Sequence, residues 1–185
     1  MTDSGLEPDL VVRLRSGDSA AFERCFRTMH APLVAFVARY VGDVARAEDV
    51  VQELFFALWR DRAKLEITGS LRAYLFSGAR NRALNVRRRD LVERDWEADE
   101  AHADVRAFHP APETPDATLE AAELTAQVAS AFATLPERCR LAMHLRWREG
   151  LSYAEIAQVL GIGVKGVENQ LARGLKALRA RLAGP

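Results

Sequence analysis

Apolar residues recur at spacings of three and four along most of the chain, and no segment alternates between apolar and polar, so the pattern predicts helices and no strands. "PDLVVRLRSGD" predicts a short helix that starts at Pro8 and stops at Gly17. Asp18 then caps "SAAFERCFRTMHAPLVAFVARYVGD", where Phe22, Cys25, Phe26, Met29, Leu33, Phe36, Val37 and Tyr40 form the apolar side. Pro32 kinks this helix rather than ending it, and Gly42 ends it. Asp43 caps "VARAEDVVQELFFALWRDR", with Val50, Val51, Leu54, Phe55 and Leu58 on one side. "AKLEITGS" reads as a loop, and Ser70 caps "LRAYLFSGARNRALNVRRRD".

The periodicity then breaks. "AFHPAPETPD" carries Pro110, Pro112 and Pro115, too close together for a helix, and marks a boundary. The expected organisation is all-α: two small helical domains, 8–90 and 116–182, joined by a flexible acidic and proline-rich linker, 91–115. The second domain contains "LEAAELTAQVASAFATL", "PERCRLAMHLRWREG" and then "SYAEIAQVLGIGVKGVENQLARGLKALRARL".

That last stretch reads as two helices around a glycine turn. Ser152 and Glu155 form a capping box. Ala157 is small where two helices cross, Gly161 suits a positive φ, and Ile162, Val167 and Leu171 are apolar anchors. These offsets predict a helix-turn-helix. The other side of its second helix carries Lys165, Glu168, Asn169, Gln170 and Arg173, of which the amides suit adenine edges, the arginine guanine and the lysine phosphate. Two features weaken that reading: Gly163 stands where a stronger cap is expected, and Gly166 and Gly174 each cost up to about 1 kcal/mol inside a helix, a cost that DNA contact offsets only in part.

Charge sharpens this. The net charge is zero, from 26 basic and 26 acidic residues, yet its distribution is uneven. Five arginines lie between Arg80 and Asp90, and five basic residues (Lys165, Arg173, Lys176, Arg179, Arg181) face Glu168 alone between Val164 and Leu182. Between them, Glu93 to Glu123 holds ten acids and two arginines. Each basic patch suits a polyanion, and the acidic middle either shields them or keeps a linker soluble.

Other chemistries find no support. Leu54 to Trp59, six residues and as long as any apolar run, is too short to span a membrane, and the N-terminus lacks a signal-peptide pattern, so a cytoplasmic protein without membrane insertion is expected. Cys25 and Cys139 read as buried, reduced thiols. His30, His102, His109 and His144 form no H-E-x-x-H, and there is no C-x-x-C, glycine-rich phosphate loop or G-x-S-x-G, so neither enzyme activity, metal nor cofactor is expected.

A helix-turn-helix does not choose between a repressor, a response regulator and an initiation factor. The first domain does. "AEDVVQELFFALWRDR" followed by "SLRAYLFSGARNRALNVRRRD" resembles region 2 of the sigma-70 family, and "LPERCRLAMHLRWREGLSYAEIAQVLGIGVKGVENQLARGLKALR" resembles region 4. Two such regions and a short linker, from about Asp9 to Leu182, resemble the extracytoplasmic-function group of sigma factors. The resemblance implies an alternative sigma factor whose partners are core RNA polymerase, promoter DNA and an anti-sigma factor. Asp49, Gln52 and Glu53, at i, i+3 and i+4, share a face and match the family's polymerase-binding positions. For the melted minus-10 element the implied residues are Lys64, Thr68, Ser70, Tyr74, Arg80, Asn81, Arg82, Asn85, Arg87 and Arg88. Tyr74 stands near a position where the family often has tryptophan, and both Tyr74 and Phe76 are open to a core role, which Phe76 suits better. For the minus-35 element they are Ser152, Tyr153, Lys165, Glu168, Asn169, Gln170, Ala172, Arg173 and Lys176, with Ala172 offering a methyl contact. A regulator that binds duplex DNA without polymerase would share the helix-turn-helix.

Overall fold

A computed structural model describes residues 8–67, 69–96 and 130–182, with the side chains of 92–96 and those of Pro8 and Leu182 left aside. Thr68, His102, His109, the linker beyond Trp96 and the helix expected before Ser130 lie outside the described residues. All regular structure among the described residues is helical. The chain divides into two compact units, Met1–Phe108 and His109–Pro185.

In the first unit, α1 (Pro8–Arg15), α2 (Ser19–Val41), α3 (Val44–Arg60) and α4 (Leu71–Trp96) pack around one core. Asp18 caps α2 by accepting from the N–H groups of Ala20 and Ala21, and Gly42 closes it at φ 73°. Helix α2 runs through Pro32 without ending. Asp43 caps α3 by accepting from Arg46 N–H at 2.8 Å, and Ser70 Oγ accepts from Ala73 N–H at 3.1 Å at the start of α4. Phe36 and Phe76 meet edge to face at 5.0 Å in the centre, both fully buried, which places Phe76 in the core. Helices α3 and α4 cross closely at Gly78, where a Cβ would stand 2.8 Å from Leu54 Cδ1.

Two departures from the sequence reading appear here. Helix α4 continues six residues past Asp90, into the segment read as linker. The sequence reading stopped it where the charge changes sign, but "LVERDW" contains no glycine or proline, so nothing breaks the backbone ladder. The segment after α3 is not loop throughout, because Arg62–Lys64 form a 3₁₀ turn.

In the second unit, residues 130–133 are helical, followed by α5 (Glu137–Met143), a π turn (His144–Arg148), α6 (Tyr153–Leu160) and α7 (Val164–Leu182). The capping box of α6 is complete, and Gly161 ends it at φ 62°. Val167, Leu171 and Leu178 are buried along one line of α7, and Gly174 completes that line. Gly174 has a packing reason rather than a DNA-binding one: a Cβ there would collide with Met143 Sδ and lie 3.6 Å from Cys139 Cβ. The π turn keeps His144 and Glu149 buried, with Nε2 and Oε1 3.4 Å apart, and turns Arg146, Trp147 and Arg148 outward.

Candidate nucleic-acid interface

At about 100° per residue, the side of α7 opposite its buried line holds Lys165, Asn169, Ala172, Arg173 and Lys176. All five are exposed. Glu168 borders this face and pairs with Lys165 at 2.9 Å, so one acid partly neutralises the start of a basic surface. Gln170 departs from the expectation. It is half-buried, and its Oε1 accepts from the Cys139 thiol at 3.1 Å. Helical rotation places it on the flank facing α5 rather than on the open face.

Ser152 is exposed but engaged, since its N–H and hydroxyl both donate to Glu155 Oε2, at 2.8 and 2.7 Å. Tyr153, next to it, is 40% exposed and lies under the Arg146 guanidinium at 5.4 Å. Arg146 also donates to Leu151 O at 3.0 Å, which fixes it at the entrance to α6.

In the first unit, α4 sorts its polar residues into lines. Tyr74, Asn81, Asn85 and Arg88 fall within one narrow arc opposite the buried Phe76, Ala79 and Ala83. Asn81, Asn85 and Arg88 are exposed and Tyr74 is half-buried, so aromatic, amides and cation form one strip along the helix. Arg80 and Arg87 are half-buried on another side, and Arg82 is half-buried with Nη1 donating to Gly78 O at 3.4 Å. Lys64, the last residue of the 3₁₀ turn, is exposed, whereas Ser70 is half-buried and occupied as a cap. The Asp61 carboxyl is held below its ordinary value by the hydrogen bond from Arg60 first, then by the charges of Arg60, Lys64 and Arg82.

A third surface lies on α3, where Asp49, Gln52 and Glu53 are all exposed. The sequence reading missed Phe56, which continues that face one turn later and is 67% exposed, with the Arg60 guanidinium 5.8 Å from its ring. The spacing was the available signal, since Phe56 is four residues after Gln52 and seven after Asp49. Trp147, 55% exposed between two exposed arginines, was likewise missed, because the π turn changes the rotation that a regular helix would have given it.

Comparison with known proteins gives these surfaces a context. Residues 25–91 match Sigma-70 region 2, and residues 125–178 match Sigma-70, region 4. The chain is 30% identical to the RNA polymerase sigma-H factor of Pseudomonas aeruginosa, over 93% of this chain and 91% of that one. It is 32% identical to the ECF RNA polymerase sigma factor SigL of Mycobacterium tuberculosis, over 90% and 94%. Among solved structures, CnrH in complex with the cytosolic domain of CnrY aligns with a TM-score of 0.60 at 27% identity, covering 94% of this chain and 95% of that one. The sigma factor RpoE of Bartonella quintana, solved with the anti-sigma factor NepR, aligns with a TM-score of 0.65 over 88% and 97%, and at 23% identity it speaks for the fold alone.

Proposed function

We infer the function from one fact: the chain belongs to the sigma-70 family of RNA polymerase sigma factors, in its extracytoplasmic-function group. It is an alternative sigma factor, which associates with RNA polymerase and directs initiation at promoters. The observation that carries this reading is the order of two matches in one chain, region 2 and then region 4.

The division of labour follows from the exposed chemistry. Helix α3 docks on core polymerase through Asp49, Gln52 and Glu53, with Phe56 as an apolar centre among acceptor groups. Helix α7 enters the major groove of the minus-35 element, where Asn169 and Arg173 read base edges and Lys165 and Lys176 meet phosphates. The loop from Lys64 to Ser70 and the strip Tyr74, Asn81, Asn85 and Arg88 hold the melted minus-10 strand, bases on the aromatic and amides, backbone along the cations. Gln170 acts by bracing α7 instead of reading bases. The chain adds no catalytic group or cofactor to transcription, because the polymerase supplies the chemistry. It works in the cytoplasm, where polymerase and promoter are, and an anti-sigma factor is its further partner; CnrH, 27% identical, is likewise solved with a partner chain, the cytosolic domain of CnrY.

The test is size-exclusion of the purified chain with bacterial core RNA polymerase, then transcription in vitro from a promoter library. Comigration with core and selection of one promoter class is the expected result. Separation from core with tight binding to duplex DNA would instead identify a stand-alone regulator.

A further inference from the structure

The start of the minus-10 loop is held from a distant part of the chain. Helix α1 is fixed in the core by Leu10 and Leu14, 3% and 1% exposed. Its last residue, Arg15, reaches across fifty positions and donates through Nη2 to the carbonyl of Leu65. Leu65 follows the 3₁₀ turn, is itself 5% exposed, and stands at the head of the segment that ends at Ser70. Arg62 secures the other side of the same turn. Its Nη1 donates to Trp59 O at 2.8 Å, and its guanidinium lies 4.4 Å from the Trp59 ring centre. Gly17, at φ +84°, leaves room for it, because a Cβ there would stand 3.3 Å from Arg62 Nε. Arg13 and Asp18 close the turn between α1 and α2 with an ion pair of 2.8 Å.

We propose that Arg15 is a positioning residue for promoter opening: by pinning the Leu65 carbonyl, α1 holds the stem of the minus-10 loop in the geometry that receives an unstacked base. This rests on the reading of Lys64 to Ser70 as the minus-10 loop. The physical need is plain. A segment that must present polar groups to one flipped base loses selectivity when its stem wanders, and a backbone carbonyl offers an anchor that uses none of the loop's side chains. Arg15 does this without touching the DNA.

The experiment uses the full chain assembled with core polymerase on a promoter selected by the wild-type holoenzyme. Opening is followed by 2-aminopurine fluorescence in the minus-10 non-template strand, on that promoter and on one altered at a single minus-10 base. Arg15→Ala is expected to slow opening about fivefold, the size of one lost net hydrogen bond, and to narrow the preference between the two promoters. Core comigration and the salt dependence of binding should stay as in wild type, and Arg15→Lys should restore much of the loss. A surface variant, Lys64→Ala with Asn81→Ala, runs beside it. If that variant slows opening and Arg15→Ala does not, the brace is wrong while the loop reading stands. If that variant has no effect on opening, the loop reading fails and takes the brace with it. A shallower salt slope in Arg15→Ala would make Arg15 a phosphate contact, and a matching loss of core affinity would make its role general to the fold, and either result overturns the proposal.

Discussion

The Cys139 thiol donates to Gln170 Oε1 at 3.1 Å, tying α7 to α5 at the amide of α7 that faces inward. Its neighbour Asn169 points to the open side. Two adjacent amides therefore face different ways, one bonded within the domain and one open, and only the open one suits the proposed contact with the groove.

Asn169→Ala should lower discrimination at one minus-35 base pair by about 1–3 kcal/mol. Gln170→Ala should leave that preference intact and cost about 1 kcal/mol of stability. Competition binding of the holoenzyme to a set of minus-35 variants, with thermal melts of each protein, separates the two. Equal losses of discrimination would show that Gln170 leaves Cys139 when DNA binds.

The two glycines inside α7 should respond in opposite directions. Gly174→Ala forces a methyl onto Met143 in a packed crossing and should destabilise by about 1–3 kcal/mol. At Gly166 the nearest neighbour of an added Cβ is Ile162 at 3.4 Å, an ordinary contact, so Gly166→Ala should stabilise by up to about 1 kcal/mol from helix propensity. Denaturant titrations of the two variants decide it.

On α3, Asp49→Arg with Glu53→Arg should abolish comigration with core polymerase while leaving the melting temperature near that of wild type, because both side chains are exposed. Phe56→Ala should weaken core binding by about 2 kcal/mol, the scale of an anchor residue at an interface centre. Full core affinity in the charge-reversed variant would remove α3 as the docking face.

Stability should fall at both ends of the pH range. The Asp18 carboxyl is held below its ordinary value of 3.8, first by the Arg13 hydrogen bond and then by backbone N–H groups of Ala21 and Ala20. Its contribution is complete above 3.8 and lost as pH falls through the lower folded value, so Asp18→Asn should flatten the acid limb of a stability–pH curve. Burial pushes the Cys25 thiol from 9.0 up to about 12. Between those values the unfolded thiol ionises and the folded one does not, so stability should decline as pH rises through that window. At pH 8, thiol labelling followed by peptide mapping should find Cys25 modified only as fast as the protein unfolds.

Much of this protein could be read along the chain because its determinants are local. Apolar spacing, caps at Asp18, Asp43, Ser70 and Ser152, and glycine stops at Gly42 and Gly161 depend on neighbours within four residues, and the helices follow them. The helix-turn-helix offsets are equally local, and so is the exposure of Asp49, Gln52 and Glu53 on one face. The rest depended on which elements meet. No spacing links Arg15 to Leu65, Cys139 to Gln170 or Gly174 to Met143, since each pair is separated by tens of residues and joined only when helices pack. The π turn at His144 likewise has no periodic signature, yet it decides that Trp147 faces outward. Local pattern therefore determined the elements and the kind of chemistry on their faces, while tertiary packing decided which polar side chains stay free to meet polymerase and DNA and which are spent holding the helices in place.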